Sequence, residues 1–306
     1  MPTASLRALL AQSIDYAGMF PPCSLALEPA LRNQAEYVRS PEAWMLNTFV
    51  LSIGQFDAAG ESISLFERQH PLRISALGSK AAKSDHFIAG LKIAADKIRS
   101  FCAQHAGLVS VDQLETALAP DADLGLLGKI TSILDGFDLQ TFWEAPADLA
   151  GQTIALLAGH NLATDQRPFG VKLRTGGVTA DAFPTSGQIA RAIVAAAKAR
   201  LPIKFTAGLH HPIRQFRDEV QTKMHGFLNV LGAAVLTAEH GWDEEQTAEM
   251  HEDEDAASFS FEDESFAWRE WKIATDRVTE QRKFVTSFGS CSFDEPRQDL
   301  RALGLL

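Results

Sequence analysis

The sequence predicts a (β/α)8 barrel of the TIM type, and three observations carry that expectation. Eight short β-forming runs occur along the 306 residues, most of them separated by segments of helical period. Two of the runs, Val171 to Gly177 and Ile203 to Gly208, flank one helix and so form a β-α-β unit. Neither a GxGxxG turn nor a Walker loop is present, which removes the usual signatures of a nucleotide-binding doubly wound sheet.

In chain order, residues 1–40 read as an N-terminal helical extension and 41–306 as one barrel domain. The extension is two helical pieces joined by an irregular segment, Ile14 to Pro22, where two prolines stop a helix. This segment reads as a plug at the bottom of the barrel, or as a source of Asp15 and Tyr16 for a site. The expected strands are 44–51, 72–77, 108–114, 139–143, 169–174, 202–206, 258–261 and 284–288, rich in β-branched and aromatic residues. Helices are expected over 84–105, 121–134, 147–159, 186–200 and 270–283. The run from Met224 to Glu239 is too long for an ordinary strand and reads as a buried helix. The acid-rich stretch from Trp242 to Asp255 reads as a solvated helix or loop. Asp294 is placed to cap a closing helix that has proline in its first turn. The pattern is irregular around the seventh strand.

Composition narrows the function. A formal net charge of −11 argues against nucleic acid as a partner, because phosphate contacts need a basic surface. Cys23, Cys102 and Cys291 are widely spaced with no CxxC pair, which fits a reduced cytoplasm. No apolar run approaches the roughly 18 residues that span a bilayer, so no membrane partner is expected. The expected partner is a small anionic metabolite, with no cofactor; a homo-oligomer is compatible with the sequence.

Barrel active sites lie at the carboxyl ends of the strands. On that rule Asn47, Asp112, Glu144, Lys172, Arg174, Lys204, Thr206 and Ser287 point inward or toward the mouth. Lys172 and Arg174 share one face of a strand, roughly 6–7 Å apart, and Lys204 occupies the matching place on the next strand. Three cations so crowded would lower a lysine pKa, the usual route to a neutral nucleophilic amine. The same group would also hold a phosphate or carboxylate. Thr175, Gly176, Gly177 and Gly208 would let backbone N–H groups approach that anion, and Ser287, Gly289 and Ser290 follow the last strand, where barrels often bind phosphate. A lysine paired internally with Glu144 is the structural alternative.

VKLRTGG followed by IKFTAG resembles the paired lysine strands of class I, Schiff-base aldolases of the deoxyribose-phosphate aldolase type. That resemblance implies Lys172 as the imine-forming nucleophile and Lys204 as the group that lowers its pKa. The sequence departs from that pattern in three ways. Arg174 stands where the family keeps a small residue, the two strands count as fifth and sixth instead of sixth and seventh, and the acid-base aspartate falls to Glu144 or Asp112. Over nearly its whole length the chain is similar to a bacterial family known only as uncharacterised, on the phrases IDYAGMFPP, GVKLRTGG, FTAGLHHP, MHGFLNV and SFGSCSF. That similarity implies no activity.

Two other functions stay open. His210, His211 and His225 with Glu144 would make a mixed-ligand metal site for a hydrolase or lyase, although their spacing matches no defined zinc motif. His210 and His211 would otherwise bind substrate. A non-catalytic barrel that binds an anionic metabolite is the third reading.

Overall fold

The computed structural model describes residues 1–306. Its centre is a closed barrel of eight parallel strands: β1 Ile14–Tyr16, β2 Leu46–Ser52, β3 Leu72–Leu77, β4 Val109–Ala117, β5 Gln140–Ala145, β6 Gly170–Arg174, β7 Ile203–Thr206 and, last in the chain, β13 Val285–Ser290, which pairs with both β7 and β1. Helices cover its outside, among them α1 Ala4–Leu10, α2 Leu27–Tyr37, α3 Phe56–Gly60, α4 Ser84–Gln104, α5 Leu124–Leu134, α6 Ala150–Asn161 and α7 Ser186–Ala199. Each buries an apolar stripe, as α7 does with Ile189, Ala192, Ile193 and Ala196. Its start is fixed by a capping box between Thr185 and Gln188.

The barrel stands as expected, but one of the eight strands is a different one. Ser258 to Phe261 is not in the barrel. It belongs to a three-stranded antiparallel sheet made of β10 Phe259–Phe261, β11 Ser265–Trp268 and β12 Trp271–Ala274. The barrel strand is instead Ile14–Tyr16, inside the segment read as a plug. The two expected helices within residues 1–40 are present, yet the strand between them makes that segment part of the barrel and moves the domain boundary from 41 to the start of the chain. The lysine strands are therefore the sixth and seventh of the barrel, correcting the count of fifth and sixth.

The expected irregularity lies after β7. That connection, residues 207–284, contains the hairpin β8 Gln215–Arg217 with β9 Thr222–Met224, the buried helix α8 Phe227–His240, the acidic helix α9 Glu244–Glu252, the small sheet and α10 Thr275–Gln281. The closing helix, α11 Asp294–Ala302, begins at Asp294 with Phe293 at the cap position, so Asp294 does not cap it; its carboxylate accepts from the Tyr37 hydroxyl instead. No helix is long and apolar enough to cross a membrane.

Candidate functional site

Strand register places the central side chains. Glu144 on β5 pairs with Lys172 on β6, and Lys172 with Lys204 on β7, so one rung of the barrel reads Glu-Lys-Lys across three neighbouring strands. On β4, Ala117 meets Glu144 and Glu115 meets Phe142, so Glu115 sits one layer deeper than Glu144. This difference in depth divides the site into an inner layer around Lys204 and an outer one around Lys172.

Lys204 is 1% exposed, and all three of its ammonium hydrogens have acceptors. It reaches Asp15 Oδ2 at 2.8 Å, Gln113 Oε1 at 2.6 Å and the carboxylate of Glu115. The Phe142 ring lies beneath it, 5.3 Å from Nζ. Asp15 is equally enclosed and accepts from Asn47 Nδ2 at 2.8 Å, from Thr48 N at 3.2 Å and from the hydroxyls of Thr48 and Ser287. Burial favours the neutral amine at Lys204, but Asp15 and Glu115 outweigh it and raise the pKa above the ordinary lysine value. The expectation that cation crowding lowers it is overturned, because three carboxylates share the interior with the cations.

Lys172 reaches the same Glu115 from the other side. Its Nζ lies 2.7 Å from Glu115 Oε2 and 3.1 Å from Glu144 Oε2, while Lys204 holds Glu115 Oε1. Burial favours the neutral acid at Glu115, and Lys172 and Lys204 override it, holding the carboxyl well below the ordinary range. Glu144 is likewise opposed by burial and lowered by Lys172, Lys80 and Arg174. Its Oε1 lies 3.4 Å from Lys80 and 3.5 Å from Arg174, whose side chains are 73% and 47% exposed. The mouth therefore carries solvent-exposed cations, whereas the floor holds enclosed ones.

Above Lys172 opens a cavity of about 370 Å³ bordered by Glu115, Glu144, Lys172, Lys204, Arg174 and Lys80 and, after the neighbouring strands β7 and β13, by His210 and Cys291. Thr206, Gly177, Gly208 and Gly289 border it as expected. Thr175 does not, because its hydroxyl donates to Thr206 O and Ala207 O and joins two loops. Gly176 and Gly208 serve the same packing: a Cβ on Gly176 would stand 3.0 Å from the Gly208 Cα and 2.6 Å from the Phe183 ring, and Gly208 has φ +75°. Ser287 is spent on Asp15, and Ser290 on Ser292 O.

Asn47 lies at the amino end of its strand, under Asp15, and Asp112 pairs with Arg73 at that same end; neither reaches the mouth. The expected metal set is not assembled. His211 Nδ1 is 2.6 Å from Asp299, and His225 Nε2 donates to Pro184 O at 2.9 Å, with burial pushing its pKa down to about 4. Glu144 is engaged with Lys172, Arg174 and Lys80. Of those four, only His210 and Glu144 border the cavity.

Glu115, Gln113 and Lys80 were missed by sequence reasoning. The β4 strand was expected to end at residue 114, but it continues to Ala117, with a register shift against β3 between Ile74 and Ser75. The available signal was Gln113-x-Glu115, two polar residues on one face immediately after the alternating Val109 and Val111.

No family model matches the chain, and no curated protein does. Solved structures with a similar shape include TsXylA, an intracellular xylanase from Thermoanaerobacterium saccharolyticum (10% identity, 97% of this chain and 91% of that one, TM-score 0.47). Two more are an endoxylanase from a sugarcane soil metagenome (11%, 92% and 99%, TM-score 0.43) and the xylanase XynB from Paenibacillus barcinonensis (12%, 94% and 86%, TM-score 0.41). The barrel is read from its own strand order, and these likenesses add no residue to the site.

Proposed function

We propose that this barrel is an enzyme that forms an imine between Lys172 and a small anionic carbonyl compound and uses it for lyase chemistry of the aldolase type. The observation that carries the reading is the placement of Lys172, an amine bordering a cavity with two carboxylates on its Nζ and a second lysine across one of them. The sixth and seventh places of the two lysine strands support it, since that is where the aldolases that the motif resembles carry theirs.

The reaction needs Lys172 to lose a proton, and the geometry supplies a trigger. Arg174 and Lys80 help hold Glu144 ionised. When a substrate anion takes these two cations, Glu144 loses part of its compensation and its proton affinity rises. It can then accept a proton from Lys172, whose free amine adds to the carbonyl carbon; loss of water leaves the imine, an electron sink for cleavage of the neighbouring carbon–carbon bond. Lys204 stays charged beneath and disfavours reprotonation of Lys172.

Borohydride reduction in the presence of small aldehydes, keto acids and sugar phosphates tests this. A stoichiometric adduct on Lys172, absent from Lys172→Ala, is expected, and its absence across the panel would sink the reading. A hydrolytic reading would use Glu115 and Glu144, which flank Lys172 at the cavity. Both carboxyls are held below the ordinary range in the unliganded site, so this reading needs one of them to take up a proton before it acts as general acid. Turnover of a glycoside panel with no borohydride adduct would favour it.

A further inference from the structure

The cavity wall after β7 and β13 carries a second cluster. His210 follows β7, Cys291 follows β13 and Glu295 lies in the first turn of α11, so three chain segments meet there. His210 Nδ1 lies 3.3 Å from Glu295 Oε2 and 3.9 Å from Cys291 Sγ, and the three donor atoms all fall within 4.8 Å of one another. His210 and Cys291 are buried and border the cavity, whereas Glu295 is exposed.

We propose that His210, Cys291 and Glu295 bind one zinc-class divalent cation, with its fourth coordination position open to the cavity. The spacing fits: ordinary zinc bond lengths at tetrahedral angles put nitrogen and oxygen about 3.4 Å apart, and nitrogen and sulfur about 3.6 Å apart. A thiolate, an imidazole and a carboxylate form a borderline-soft donor set that magnesium and calcium do not select. Three protein ligands with one position left open is the arrangement of catalytic zinc sites. Binding displaces the Cys291 thiol proton to solvent. The exposed carboxylate of Glu295 gives the ion a path in from outside.

Cys23 is not among the ligands. Its Sγ stands 2.8 Å from Cys291 Sγ, whereas two thiolates on one tetrahedral ion stand about 3.8 Å apart. It is instead a competitor, because a peroxide could oxidise the two thiols to a disulfide, itself being reduced to water, and so remove Cys291 as a ligand. This proposal stands independently of the imine chemistry, and its test uses no turnover.

Reduced full-length protein and its Cys23→Ser variant are dialysed against Co²⁺ and then Zn²⁺, with the thiolate-to-cobalt charge-transfer absorption and metal per chain as readouts. One ion per chain with that absorption is expected in both proteins and in Lys172→Ala. Affinity should fall at least tenfold in Cys291→Ser and in Glu295→Gln, the latter an exposed position whose change leaves the fold intact. Binding without the thiolate band, binding unchanged in those two variants, or no binding by reduced Cys23→Ser would each overturn the site. So would a Cys23–Cys291 disulfide that re-forms in the wild type despite saturating metal.

Discussion

Lys172 and Lys204 are the same residue type on adjacent strands at the same rung, and the barrel gives them opposite surroundings. Lys204 faces the floor, where Asp15, Gln113 and Glu115 take all its hydrogens and leave it almost wholly buried. Lys172 faces the mouth, where Glu144 is shared with two solvated cations. A buried ion pair with every partner in place is hard to rearrange, because removing one member leaves an uncompensated charge in a poorly solvated space. The site at the mouth has alternatives for each of its charges, so it can change protonation without unfolding the barrel. Sequence position does not distinguish the two lysines; the partners that the barrel brings to each do.

The comparison breaks first, and by the largest margin, on the two lysine substitutions. Lys172→Met should abolish borohydride trapping while keeping most of the stability, since Glu115 retains Lys204 and Glu144 retains Lys80 and Arg174. Lys204→Met should cost about 3–5 kcal/mol in urea unfolding, because Asp15 and Glu115 are left buried without their shared cation. Equal stability losses in the two variants would end the distinction between floor and mouth.

Next in size is Glu144→Gln, which removes the proton acceptor at the mouth and leaves the floor untouched. The rate of adduct formation should drop about 10²–10⁴-fold, with an unfolding midpoint close to the wild type. A rate within twofold of the wild type would transfer the proton-accepting role to Glu115.

The pH dependence of stability sharpens the same contrast. Glu115 and Glu144 have folded pKa values below the ordinary 4.5, so their contribution is complete above that value and is lost as pH falls below it toward the depressed folded values. Lys204 has a folded pKa above the ordinary 10.5, so its contribution is complete below 10.5 and is lost as pH rises through the higher folded value. Urea midpoints measured against pH should therefore fall at both ends, and Lys204→Met should lose the alkaline fall. Retention of that fall in the variant would assign it to other groups.

The smallest effect belongs to Arg174→Ala. Its side chain is half exposed and shares Glu144 with Lys80, so about a tenfold rise in KM for an anionic substrate is expected, with kcat little changed. An unchanged KM would remove Arg174 from anion binding.

Much of this was legible locally. Val171 to Arg174 and Ile203 to Thr206 announce themselves as strands, and the helix between them fixes them as parallel neighbours, so the facing lysines follow from sequence alone. The β1 strand was not legible: three residues with an aspartate at the centre carry no alternation, and their only strand signal is the pairing with β2 and β13. Ser258 to Phe261 shows the reverse case, since four residues of good β-propensity say nothing about which sheet will take them.

The sequence by itself determined the barrel class, the lysine pair and the acidic charge of the chain, because these depend on period, spacing and composition over short stretches. Only the tertiary structure decided which carboxylates neutralise the lysines, which of the two lysines shares its carboxylate with the exposed cations at the mouth, and that His210 meets Cys291 and Glu295 while His211 and His225 do not. Those outcomes depend on depth within a closed barrel and on contacts between residues far apart in the chain, such as Asp15 with Ser287, which no local pattern encodes.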